Sequence, residues 1–216
     1  MTAPLSRLRG PLAAVLGLSA LAYGLILHLS SAAGINSQLV IRDLAQTCSS
    51  ALGVGLVSSI GYLLWMASAS AALLAFTTTR KVIPQRQREL LGLGGWMSLL
   101  LCIDDMFLLH DRYIGPTFLY GTYAIFAILI LLRYKESLAS LKGFRFFASA
   151  CFLGISVIID FTQDHIPLTY ETTQIFEEGA KFLGISTWLL FWWQASSTAL
   201  KRHLIKEAPR TTEAQP

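Results

Sequence analysis

Charge is scarce in this 216-residue chain: only 14% of residues are Asp, Glu, Lys or Arg, and 54% are hydrophobic. With a mean hydropathy of +0.55, that deficit excludes an ordinary soluble domain and places the chain among integral membrane proteins. Cysteine is also scarce. Cys48, Cys102 and Cys151 have neither CxxC nor metal-ligand spacing, which excludes a disulfide framework and leaves no redox signature. Sustained apolar/polar alternation is missing too, which excludes barrel strands and leaves helices as the spanning element.

What is present is a set of continuous apolar runs at 11–33, 51–76, 90–110, 117–132, 146–161 and 174–199. Each is close to the roughly 20 residues that a helix needs to cross about 30 Å of hydrocarbon. The expected fold is therefore all-α: residues 1–200 form one bundle of six transmembrane helices, followed by a disordered tail at 201–216, basic and then polar. Arg7 and Arg9 before the first run, with Ser31-Ala32-Ala33 at its end, resemble a signal peptide. The run is longer than a signal-peptide core and is read as a retained anchor.

Fourteen of the 17 Lys and Arg residues fall before the first run, between the second and third, between the fourth and fifth, and after the sixth. With six alternating helices these segments share one side, and the positive-inside rule makes that side cytoplasmic, with both termini inside. A pI near 9.1 is then a topology signal, and nucleic-acid binding is not needed to explain it. Small size and short loops suggest a bacterial inner (plasma) membrane, with membrane lipids as partners. Oligomeric state is not legible.

Acidic residues take the opposite side. Asp43, Asp104, Asp105, Asp111, Asp160, Asp164, Glu171, Glu177 and Glu178 fall on the far half or in far-side loops, with His28, His110 and His165. At 1.5 Å per residue, Asp104 lies about 21 Å along its helix, Asp160 lies at a similar depth, and Glu177, Glu178 and Lys181 lie within roughly 10 Å of the outer edge. Interfacial loops account for Asp43, Glu171 and His28, but not for acids this far into three helices. Asp104 and Asp111, seven apart, share a face of a continuous helix, and Asp105 points about 100° away. Asp160 and Asp164 form an i,i+4 pair, as do Glu177 and Lys181. Trp188, Phe191, Trp192 and Trp193 read as an interface belt and packing surface. ASASAA at 67–72 and Gly92, Gly94 and Gly95 read as places of close helix approach.

Asp104, Asp105, Asp111, Asp160, Asp164, Glu177 and Glu178 would carry seven negative charges against Lys181 and Arg112. Such a cluster in low dielectric requires protonation, hydration or a cation. The expectation drawn from this sum is a divalent metal held by Asp104, His110, Asp111, Asp160, Asp164 and Glu178. Glu177 would be the general base and Lys181 the oxyanion stabiliser of a metal-dependent hydrolase, acting on a lipid or lipid-linked substrate in the extracytoplasmic leaflet. The same carboxylates serve two alternatives: a proton- or cation-coupled transporter, or a non-catalytic assembly subunit with a structural polar network.

The stretch FEEGAKFLG contains EExxK, as Glu177-Glu178-Gly179-Ala180-Lys181. It resembles the first motif of the PrsW-like glutamic intramembrane proteases, a likeness that implies catalytic glutamates. In that family FxxxE and HxxxD follow on later helices, whereas here the motif lies on the last apolar run. His28, His110 and His165, on one side, are similar in chemistry to the zinc-binding set of the ceramidase-like membrane hydrolases, without the HxxxH pattern of that superfamily. DDMFLLHD with a later EEGAK is similar to a pattern in uncharacterised bacterial multi-pass membrane proteins.

Overall fold

The computed structural model describes residues 6–41, 48–51, 53–141 and 143–207. Asp43, Lys142, Arg210 and Glu213 lie outside the described residues. The chain divides into two compact units, Met1–Gly55 and Leu56–Pro216. The described residues are helical, with no strand among them.

The first unit holds α1 (Ser6–Ala32) and α2 (Ser37–Ile41). Gly34, at φ +73°, closes α1 by letting the Ile35 N–H reach the Ser30 carbonyl at 2.9 Å and its own N–H reach Ser31 at 3.0 Å. That double closure is the helix stop which a left-handed glycine permits.

The second unit holds α3 (Leu56–Thr78), α4 (Gln85–Phe107), the single turn α5 (Leu109–Arg112), α6 (Pro116–Arg133), α7 (Lys135–Ser140), α8 (Phe144–Thr162) with a 3-10 turn at Gln163–His165, and α9 (Tyr170–Glu207). Among the described residues, four helices are long and apolar enough to cross a membrane: α3, α4, α6, and α8 with its following turn. Six were expected. In α1, the stretch Leu16–Ala32 is a further apolar segment among the described residues. The 38-residue α9 carries Glu177, Glu178, Lys181, Gln194 and many Ser, Thr and Trp residues, which dilute its apolarity. It also continues through residues 201–207, expected to be disordered tail.

Helix α9 packs on α8 and α3, and α3 packs on α4. Its inward stripe of Trp188, Phe191 and Trp192 is fully buried and meets Phe146 of α8 and Trp65 of α3 ring to ring. These three residues are core, not an interface belt. Only Trp193, 61% exposed, remains on the outside. The Trp188 indole N–H donates to Ser98 Oγ at 2.8 Å, and Ser98 in turn donates to the Gly94 carbonyl at 2.7 Å. Small residues let the helices approach. Ser68, Ala69, Ala72 and Ala75 form the buried face of α3, and a Cβ built on Gly94 would sit 2.0 Å from the Trp192 ring. By contrast α6 packs most closely on the short helices at its two ends.

The basic helix ends of this unit meet. Arg133 stands 3.7 Å from Glu89 and Arg86 stands 3.9 Å from Glu136, while the Lys206 ammonium donates to the Lys81 carbonyl at 3.3 Å. The acids Asp104, Asp160 and Glu177 collect at the other end.

The tight seat of Gly94 makes a prediction. Gly94→Ala forces the Trp192 ring aside, an overpacking cost of about 1–3 kcal/mol, and lowers the melting temperature in detergent by several degrees. Gly121→Ala, whose Cβ would meet nothing within 4 Å, serves as the control. Equal melting temperatures for the two variants would contradict the packing.

Candidate functional site

The site is organised by a break in a helix. Run 90–110 reads as one helix, but α4 stops at Phe107 because Leu108 adopts the left-handed conformation, φ 52° and ψ 46°. That conformation costs a side-chain-bearing residue roughly 1–2 kcal/mol. It turns the chain so that α5 folds back on the end of α4. The chain then reverses through Gly115, at φ +88°, into Pro116 at the first turn of α6.

The reversal surrounds one carboxylate. Asp104, 4% exposed, accepts on Oδ1 from the His110 backbone N–H at 2.9 Å, and the His110 ring Nδ1 lies 2.9 Å from the same oxygen. Its Oδ2 accepts from the Tyr123 hydroxyl at 2.9 Å. Facing a carboxylate, Nδ1 is the protonated nitrogen, which leaves Nε2 outward as the exchangeable position. Asp111 Oδ2 is 3.6 Å from Nε2, with its side chain exposed. The hydrogen bond to Asp104 is the largest influence on His110 and raises its pKa above the ordinary value, against the opposing effect of burial. Asp104 and Asp111 therefore meet through His110 and not along one continuous helix face.

A second group forms beside it. The Lys181 ammonium pairs with Asp105, which points away from Asp104 as the helical spacing predicts, and lies 3.8 Å from Glu178 Oε1. The expected Glu177–Lys181 pair is replaced by these contacts, and Glu177 accepts from the Gln174 amide at 2.8 Å. Asp160 accepts from Tyr120 and Gln163, each at 3.4 Å.

These groups line a single cavity of about 580 Å³. Asp104, Asp105, His110, Asp111, Asp160, Glu177, Glu178 and Lys181 form its polar end. Ala124, Ala127, Ile128 and Leu131 of α6 and Ala150, Leu153, Gly154 and Val157 of α8 form an apolar slot leading from it. Asp164 and His165 do not join: both are exposed in the 3-10 turn and neither lines the cavity, so the expected Asp160–Asp164 pair is not made there. His28 lies on α1, in the other unit.

Among the described residues, no three His, Cys, Asp or Glu side chains are grouped as a metal ion requires. The acids gathered in the cavity are met instead by Lys181, His110, phenols and amides. Sequence reasoning missed Tyr120, Tyr123, Gln163 and Gln174. The two tyrosines are three apart on the N-terminal half of α6, and extending the depth comparison from charges to phenols finds them.

The family described as Domain of unknown function (DUF8692) matches residues 12–195. The chain belongs to the DUF8692 family. The matched span contains every residue of the cavity wall. No curated protein and no solved structure matches the chain.

The raised pKa of His110 makes stability depend on pH. Its contribution is complete below the unfolded value of about 6.5 and is lost as pH rises through the higher folded value. The melting temperature should fall over that window, and Asp104→Asn should flatten the dependence. An unchanged slope in the variant would contradict the pairing.

Proposed function

We propose that the second unit is a membrane hydrolase acting on an amphiphile. The polar end of the cavity would receive the scissile group and the slot between α6 and α8 would hold the chain. The observation that carries this reading is the cavity itself, which joins an Asp-held imidazole and a paired lysine to an apolar slot. Pockets of this kind, mostly apolar with a few converging polar groups, are where ligands bind.

In this reading His110 Nε2 takes a proton from water, and the resulting hydroxide attacks an acyl carbonyl carbon. The Lys181 ammonium stabilises the tetrahedral oxyanion. Collapse breaks the bond to the leaving group, which takes its proton from the His110 imidazolium. Asp104 holds the imidazole in the productive tautomer, and Tyr123 holds Asp104. The base is thus His110, in place of the Glu177 expected from the sequence. The metal-dependent version rests on the charge sum alone. The acid–base version uses the donors that meet those acids and requires no ion.

The six-span topology, with both termini cytoplasmic and the cavity in the extracytoplasmic leaflet of a bacterial inner membrane, belongs to this proposal. The meeting of basic helix ends opposite the acids supports it. An ion carrier is less well supported, because Ile128, Leu131 and Ala150 on the slot's wall offer an ion no ligand.

Hydrolysis of 4-nitrophenyl acyl esters by the protein in lipid nanodiscs tests the reading. Dodecanoate should be cleaved with higher kcat/KM than butyrate, and His110→Gln should lower the rate by about 100-fold or more, the usual scale of a lost acid–base group. Undiminished hydrolysis in the variant, or none in the wild type, would overturn it.

A further inference from the structure

The cavity's electrostatics specify a head group. Six carboxylates line it (Asp104, Asp105, Asp111, Asp160, Glu177 and Glu178), against Lys181 and, when protonated, His110. Both cations are already engaged. His110 lies on Asp104 and near Asp111, and Lys181 pairs with Asp105 and Glu178. Among the described residues, Asp160 and Glu177 receive only neutral donors, from Tyr120, Gln163 and Gln174. An anionic head group entering this end would meet a surplus of negative charge and no uncommitted cation. A cationic one would relieve the surplus.

Two buried atoms point to the same occupant. Gln163 Oε1 is buried without a donor among the described residues, although the amide nitrogen of that side chain is spent on Asp160. An N–H donor placed beside Asp160 would satisfy it. Trp65, 2% exposed and part of the cavity wall, has an indole N–H with no acceptor among the described residues. Its ring packs on Trp188, seven residues and about 10 Å inward of Lys181 along α9. Leaving a buried donor unmet costs about 1–3 kcal/mol, and a ligand carbonyl or hydroxyl inward of the head would meet it.

We propose that the amphiphile carries a primary ammonium head, bound by Asp160, Glu177 and Gln163 Oε1, with a hydrogen-bond acceptor further in that takes the Trp65 N–H. This specifies the substrate class of the cavity proposed above and rests on that reading. A primary ammonium is preferred to a quaternary one because the three receiving groups are hydrogen-bond acceptors. Tyr120, between His110 and Asp160, adds a ring face on which a cation is favoured.

Equilibrium binding of radiolabelled probes to the protein in nanodiscs, with protein-free nanodiscs as blank, tests the assignment. Dodecylamine should bind at least tenfold more tightly than dodecanol, dodecyl phosphate or dodecyltrimethylammonium. In Asp160→Asn/Glu177→Gln the preference over dodecanol should fall toward unity, with helical content by circular dichroism confirming that the variant is folded. Trp65→Phe should weaken N-(2-aminoethyl)dodecanamide, which carries an inward carbonyl, more than dodecylamine, which does not. Equal binding of dodecylamine and dodecanol, or tighter binding of the phosphate, would overturn the head-group assignment while leaving the amphiphile cavity standing. Equal binding of the quaternary probe would overturn the primary-ammonium assignment, and equal losses in Trp65→Phe would overturn the inward acceptor. Absence of saturable binding by every probe would overturn both this proposal and the reading beneath it.

Discussion

The buried carboxylate of Asp104 is the point on which the second unit's polar end depends. It draws three donors from two residues: the backbone N–H and the imidazole of His110 on α5, and the phenol of Tyr123 on α6. Burying a carboxylate without partners is prohibitive, so those donors must be delivered. Two features of the chain deliver them. The left-handed Leu108 brings His110 back over the end of α4, and the Gly115-Pro116 reversal brings Tyr123 down beside it. The backbone cost at Leu108 is of the order that one charge-assisted hydrogen bond returns, and Asp104 accepts more than one.

From that carboxylate the rest of the site follows in steps. Helical spacing turns Asp105 away from Asp104 and toward α9, where Lys181 answers it. Placing Lys181 there denies it to Glu177, which takes Gln174 instead. Because α6 is held mainly at its ends, the space between it and α8 stays open as an apolar slot. The polar groups and the apolar slot thus share one cavity through the same helix arrangement, not through a separate loop built for either.

Much of this was legible in the chain. The apolar runs foretold the long helices within a few residues, since burial of that much apolar surface has few other solutions. Depth matching brought Asp104, Asp160, Glu177, Glu178 and Lys181 to one level, and all five line one cavity. What failed was continuity. Helical periodicity was carried through residue 108, where a local φ/ψ choice invisible to hydropathy redirects the chain. The same assumption put Asp164 on a helix face, whereas it lies in a 3-10 turn. A charge sum counts formal charges and ignores neutral donors, so it did not foresee the tyrosines and amides that stand beside the acids. The indoles of α9 were read partly as a belt because a single helix cannot show which of its faces another helix covers.

Nitrogen NMR of the protein labelled at its four histidines, in nanodiscs, tests the central arrangement most directly. The account predicts one imidazole protonated at Nδ1, with Nε2 exchanging and a midpoint above the ordinary histidine value, and predicts that Asp104→Asn abolishes both signatures. A His110 resonance protonated at Nε2, or titrating like a free imidazole in the wild type, would contradict it.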